Sequence, residues 1–165
     1  MKNAPRQVWA TYAAGRYLQM RPEDVATHLA SRGLSIRLGA YGDPAAMPID
    51  VLERLSCGIE HTGYTHAWTT CDPDLRRLLM ASADTAAERA HALELGWRVF
   101  RVRANTDPLE AREIACPASD EAGRRSACSR CNLCSGLASH TDIRAHIAIV
   151  VHGIGTGAFL KMLPA

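Results

Sequence analysis

The 165-residue chain has no apolar run that could cross a membrane. Its longest, IAIVV at 147–151, falls far short of the ~20 residues a helical span needs. Its start, MKNAPRQVW, has no apolar core of the secretory type, so no export is expected. Charge of one sign is also missing. The net charge of +2 lacks the strong basic excess of a dedicated DNA-binding domain. No sequence repeat and no low-complexity tail is present, so solenoids and disordered arrays are excluded. The glycine-rich HGIGTG at 152–157 lacks the G-x-G-x-x-G spacing and the βαβ position of a dinucleotide site, leaving a phosphate-binding loop as its remaining functional reading. What remains is a chain of 47% apolar and 22% charged residues, enough for one compact domain over 1–165. The cytoplasm of a cell that keeps thiols reduced is the expected compartment.

Strand and helix signals alternate along the chain. Pro22, then Glu23 and Asp24, then Gly33 mark a helix with its start, dipole partners and stop. SIRLGAYGDP at 35–44 alternates and ends in a turn, which predicts a strand. PIDVLERL predicts a short helix, HTGYTHAW at 61–68 a second strand, and DPDLRRL a further short helix capped by Asp72. LLMAS at 78–82 predicts a third strand. In DTAAERAHALELG, Thr85 and Glu88 form a capping box and Gly96 closes the helix. WRVFRVR at 97–103, REIAC at 112–116 and DIRAHIAIVVHG predict strands four, five and six. Alternation of this kind means a parallel sheet of about six βα strands. A full eight-stranded barrel needs ~250 residues, so a partial (β/α) barrel or an open sheet is expected.

Most of these strands run into a polar or reactive residue at the C-terminal end. The first leads to Tyr41 and Asp43, the second to His66, and the third to Ser82 and Asp84. The fourth ends at Arg103, the fifth at Cys116 and the sixth near His152. That edge carries the site in barrels and open α/β sheets. A ligand pocket is therefore expected there, for a small or nucleotide-like molecule. Asp43, His66 and His152 are the candidate catalytic residues; Tyr64, Asp84 and Arg103 are the candidate ligand-binding ones. Plainer roles compete: an Asx turn for Asp43, a satisfied strand histidine for His66, a helix cap for Asp84, and a solvated face for Arg98.

The densest signal is CPASDEAGRRSACSRCNLCSG, residues 116–136. It holds Cys116, Cys128, Cys131 and Cys134 in the spacing C-x11-C-x2-C-x2-C. Two-residue gaps let neighbouring thiolates converge, and Cys116 can close the set from a strand end. Four sulfurs suit either tetrahedral zinc or a cubane [4Fe–4S] cluster. Separated C-x2-C knuckles are commoner for structural zinc, whereas three cysteines in a row at two-residue gaps match the ligand run of bacterial ferredoxins. Ser126, Ser129 and Ser135 can hydrogen-bond sulfur, and Arg124, Arg125 and Arg130 can offset negative charge. Cys57 and Cys71 stand alone and read as ordinary small residues.

Taken together, RLGAYGDPAAMP, HTGYTHAW, MASADT, GWRVFRVR and the cysteine segment resemble an uncharacterised cysteine-rich family encoded by bacteriophages and plasmids. The resemblance covers the chain from about residue 5 onward. It implies a degenerate radical-SAM-like partial barrel with cysteine-bound metal. Members carry an upstream cysteine-rich stretch that this chain lacks, the pattern of a short member or a late translation start. The cysteines here follow the fifth strand and all four can be ligands, so the site they build is closed: structural or electron-transferring rather than SAM-binding. Two functions are expected from these observations. One is a metalloprotein of mobile-element origin with a ligand pocket. The other is a zinc-stabilised module binding nucleic acid or a host protein through its arginines.

Overall fold

The computed structural model describes residues 4–153 and 155–162; Ile154, inside HGIGTG, lies outside them. Helix α1 spans Ala4–Ala13, α2 Pro22–Ser31 and α3 Ile49–Ser56. Strand β1 is Ile36–Arg37, β2 His61–Thr62 and β3 Tyr64–Thr65. Then come β4 (Met80–Ala83), α4 (Ala86–Glu94), β5 (Val99–Arg103), β6 (Glu113–Ala115), α5 (Cys128–Cys131), β7 (His146–Val150) and α6 (Thr156–Met162). Single 3-10 turns follow Asp43 and Asp72, each capped by that carboxylate, which accepts from the amide two residues on.

The chain is an open α/β protein with a five-stranded parallel sheet in the order β3-β4-β5-β7-β6, beside a two-stranded parallel piece, β1-β2. Two expected strands are shorter than their sequence pattern. The first stops at Arg37 because Gly39 turns with φ +74° and is packed against Pro44. The second is broken at Gly63, where the chain changes partner from β1 to β4. A Cβ on Gly63 would stand 2.7 Å from Leu79.

Helix α4 starts as its sequence requires. The Thr85 hydroxyl accepts from the Glu88 amide at 3.1 Å. The Glu88 carboxylate reaches back to the amide of Asp84, one residue before the cap, at 2.7 Å. Gly96 ends the helix with φ +79°.

The direction of each crossover decides which face it covers. Parallel crossovers are right-handed, so a step reversed across the sheet puts its connection on the opposite face. From β4 to β5 the chain steps one way and α4 lies over one face. Ala81, Ala83 and Val99 pack there with Leu52, Leu75, Trp68, Ala92 and Trp97. From β6 to β7 the chain steps back, because β7 lies between β5 and β6. Its crossover is the cysteine segment, and it covers the other face. Met80, Cys116 and Ile147 are buried there against Tyr64, Phe100, Leu133, Cys134 and Ile149. Such a crossover is usually an α-helix; here it holds one helical turn, α5.

On the α4 side, buried charge ties the elements together. The Glu113 carboxylate, fully buried on β6, accepts from Arg101 at 2.9 and 2.7 Å and from the Glu110 amide at 2.8 Å. Arg89 of α4 pairs with it at 2.9 Å.

Candidate metal centre

Cys116 is the first residue past β6. Its amide donates to Ala148 of β7 at 2.8 Å, and its carbonyl accepts from the amide and the hydroxyl of Ser119. The end of β6 and a tight turn thus fix this thiol, which is buried. Cys128 and Cys131 stand at the two ends of α5, three residues apart and so on one face. Asn132, left-handed at φ 48°, ends the turn and redirects the chain. Cys134 follows, and its carbonyl accepts from the Gly63 amide at 2.8 Å. Past it, Gly136 and Leu137 donate to the carbonyls of Leu78 and Arg76 at 3.2 and 2.7 Å. The segment therefore crosses the sheet face from the C-terminal end of β6 to the N-terminal end of β4.

All four cysteines line one cavity of about 370 Å³ between this segment and the sheet. Its floor is Phe100, Val102, Ile147 and Ile149, one face of β5 and β7. Along one wall the Tyr64 ring stacks on Phe100 with centroids 4.8 Å apart. The Arg37 guanidinium lies 5.3 Å over the Tyr64 ring and donates to its hydroxyl. His152 sits at the mouth, with Nδ1 at 3.0 Å from the Val150 carbonyl. A more polar cavity of about 710 Å³ adjoins the first at the C-terminal ends of β5 and β7. Cys128, exposed, and His152 border both.

The thiols act on one another. Burial pushes Cys134 up to about 12, and Cys116, Cys131 and Cys128 add to the rise. Cys116 is raised by burial and then by Cys128 and Cys131. The thiolate forms of Cys116 and Cys134 are thus disfavoured unless a cation stands beside them. As the side chains stand, no three His, Cys, Asp or Glu groups among the described residues are arranged to hold a metal ion. The sulfurs ring a space rather than meet at a point.

A cation does stand beside them. Arg98, the residue before β5, faces the cysteine segment and is 2% exposed. It donates to the carbonyls of Leu133, Ser135 and Ala145 at 2.9, 2.5 and 2.7 Å. It forms no ion pair among the described residues, and its Nε has no partner. Burial lowers it to about 10, so it keeps its charge at neutral pH. The expected solvated face for Arg98 is thus corrected: WRVFRVR is covered on both faces, and Arg98, Arg101 and Arg103 are all buried.

The other expected site residues divide into two groups. Tyr64 and His152 line the cysteine cavity. Asp43, His66, Asp84 and Arg103 do not. Asp43 caps a turn and accepts from the His66 amide at 2.8 Å. Burial works to raise its carboxyl, but hydrogen bonds from Thr65, Ala45, His66 and Ala67 hold it below the usual range. The His66 ring is exposed. Asp84 precedes the α4 cap and is raised by burial, against the nearby His66. Arg103 is engaged by Glu121 and by the carbonyls of Ala104 and Asp107. The cavity lined by the cysteines lies over a sheet face, while the adjoining one of about 710 Å³ lies at the strand ends, where a pocket was expected, and takes in only His152 of these expected residues. Arg37 and Phe100 line the cysteine cavity without having been singled out, and Arg98 supports it instead of facing solvent; the alternation of Arg98, Phe100 and Val102 was the available signal. No helix of the described residues is long and apolar enough to cross a membrane. No family model, curated protein or solved structure matches the chain.

Proposed function

We propose that this chain is an iron–sulfur protein in which Cys116, Cys128, Cys131 and Cys134 hold a [4Fe–4S] cluster against the open sheet face. One observation carries the reading: the four thiols line a single, largely apolar cavity of about 370 Å³. The cavity is open at its mouth, so its apolar floor of Phe100, Val102, Ile147 and Ile149 meets water unless a bound group covers it. A single zinc draws four sulfurs to ~2.3 Å from one point and leaves the floor of Phe100, Val102, Ile147 and Ile149 uncovered. A cubane spreads its ligands over four corners and fills more of the space.

Such a cluster supplies one-electron transfer. The chain's own residues hold it, keep water from its inner side through the floor and the Tyr64–Phe100 wall, and leave the Cys128 corner towards solvent. Arg37 and His152, at the margins of the cavity, suit a small anionic or nucleotide-like ligand. In line with the family resemblance, we read the protein as phage- or plasmid-encoded and acting in the bacterial cytoplasm.

The test is elemental analysis with acid-labile sulfide on protein purified without oxygen. About four iron and four sulfide per chain, with a brown colour, support the reading. One colourless zinc per chain overturns it in favour of a zinc-stabilised module contacting nucleic acid or a host protein, with Arg124, Arg125 and Arg130 as the salt-dependent contacts. A metal-free chain overturns both.

A further inference from the structure

We propose that Arg98 is the built-in counter-cation of the cysteine centre: a positioning residue whose charge, seated beside Cys134, stabilises the negative charge of the metal–thiolate group. This rests on the cysteine segment holding metal. A buried guanidinium nearly always has a carboxylate partner, because an unpaired buried charge is costly. The other strand-five arginines obey that rule, Arg101 with Glu113 and Arg103 with Glu121. Arg98 does not. Its partners are three carbonyls, and two of them, Leu133 and Ser135, flank Cys134 on either side. Its Nε is buried without an acceptor. A zinc tetrathiolate or an oxidised cubane with four thiolates carries net negative charge, and Arg98 is the buried cation nearest in the fold to receive it. A second clamp on the same segment, Arg144, binds the Ser135 hydroxyl and the Gly136 carbonyl at 3.0 and 2.6 Å but already has its own anion, Asp142.

The contrast defines the experiment. R98K keeps the charge and breaks the three-carbonyl clamp. R98Q removes the charge and keeps part of the clamp. R144Q weakens the other clamp and leaves Arg98 in place. Each is purified without oxygen, assayed for metal and sulfide, titrated for its midpoint potential, and unfolded in urea after chelation. Loss of a positive charge disfavours the reduced cluster. R98Q is expected to lower the equilibrium constant for one-electron reduction at least tenfold, which is about 59 mV more negative. R98K is expected within threefold of the parent, and R144Q unchanged.

Where R98Q fails to retain the cluster, loading is the readout. R98K loaded and R98Q empty, with equal stability after chelation, supports the proposal; both empty to the same extent overturns it. If the parent holds zinc, chelator competition replaces the potential, and R98Q is expected to bind ~10–100-fold more weakly. Equal potentials or equal affinities in R98K, R98Q and the parent, with stability alone altered, would show a purely structural Arg98 and overturn the proposal. A parent without any metal overturns it together with the functional reading, and the parent's own metal content tells the two failures apart.

Discussion

Replacing Gly136 with alanine should detach the cysteine segment from the sheet. The residue lies at the exit of the segment, two positions after Cys134. A Cβ there would stand 2.4 Å from the Arg77 carbonyl carbon, 2.5 Å from the Arg76 oxygen and 2.5 Å from the Leu78 nitrogen. All three are backbone atoms, so no side chain can swing aside. Overpacking of this kind costs about 1–3 kcal/mol when the surroundings absorb it. Relief by moving the segment breaks the bonds of Gly136 to Leu78 and of Leu137 to Arg76, each worth about 1 kcal/mol. A loss of about 3 kcal/mol is therefore expected in urea unfolding of the metal-free protein, or a Tm lower by about 6–12 °C. Metal content should fall as well, because Cys134 moves with the segment. Gly155→Ala is the control. Its Cβ meets nothing within 4 Å, and a change within about 0.5 kcal/mol is expected. A Gly136→Ala protein with parental stability and full metal content would refute the claim that this backbone contact seats the segment.

Three further outcomes are expected. Glu113→Gln leaves Arg89 and Arg101 buried without their counter-charge and should cost about 3–5 kcal/mol in chemical unfolding; a cost below about 1 kcal/mol would remove the ion network as the tie between α4 and the sheet. His146, at the start of β7, accepts from the Val99 amide, and burial, then Arg112, Arg89 and Arg98, lower it from 6.5 to about 4. The unfolded chain binds that proton first, so the metal-free protein should be at full stability above pH ~6.5 and lose up to about 3 kcal/mol as pH falls towards 4; His146→Gln should flatten the upper part of that slope, and an unchanged slope refutes the assignment. Asp43→Ala removes a turn cap and the bond to the His66 amide, and should cost about 1–2 kcal/mol without changing metal content, whereas His66→Ala should be near neutral in both; loss of metal in either would return these residues to the site.

The parts legible in the sequence are those that local chemistry decides. Thr85 and Glu88 cap α4, Pro22 opens α2, Asp72 caps its turn and Gly96 closes α4, each through contacts within a few residues. The apolar runs at β4 and β7 identify strands covered on both faces. Pairing is a different matter. Nothing in HTGYTHAW says that β2 pairs with β1 and β3 with β4, because the break at Gly63 is imposed by Leu79 and Leu38 from other elements. The arginines of β5 are a sharper case. Period-two alternation puts Arg101 and Arg103 opposite Phe100 and Val102, and arginine normally marks the wet face. Here Glu113 and Glu121 meet those arginines from twelve and eighteen residues away. The carbonyls that hold Arg98 lie 35 to 47 residues away. Partners that distant leave no trace in a local pattern, so buried and solvated arginines read alike.

The position of the cysteine cavity over the sheet face follows from topology. Had β7 been added outside β6, its right-handed crossover would have joined α4 on the first face, and the cysteines would have packed beside Trp97 and Ala92. Because the last strand enters between β5 and β6, the crossover is forced onto the bare face of Tyr64, Met80, Phe100 and Ile147. A helix there would cover that face with its own apolar stripe. The segment 116–136 offers one turn, α5, which carries Cys128 and Cys131, and otherwise mostly small and polar residues with Cys116 and Cys134. Its apolar contribution is little beyond Ala118 and Leu133. Metal–thiolate bonds would supply the cohesion this crossover lacks in side-chain packing, so chelation should loosen this face before the α4 face. Hydrogen exchange can read the difference: the amides of Gly63, Gly136 and Leu137, all bonded across this seam, should lose protection on chelation, while those of Leu95 and Trp97 keep it.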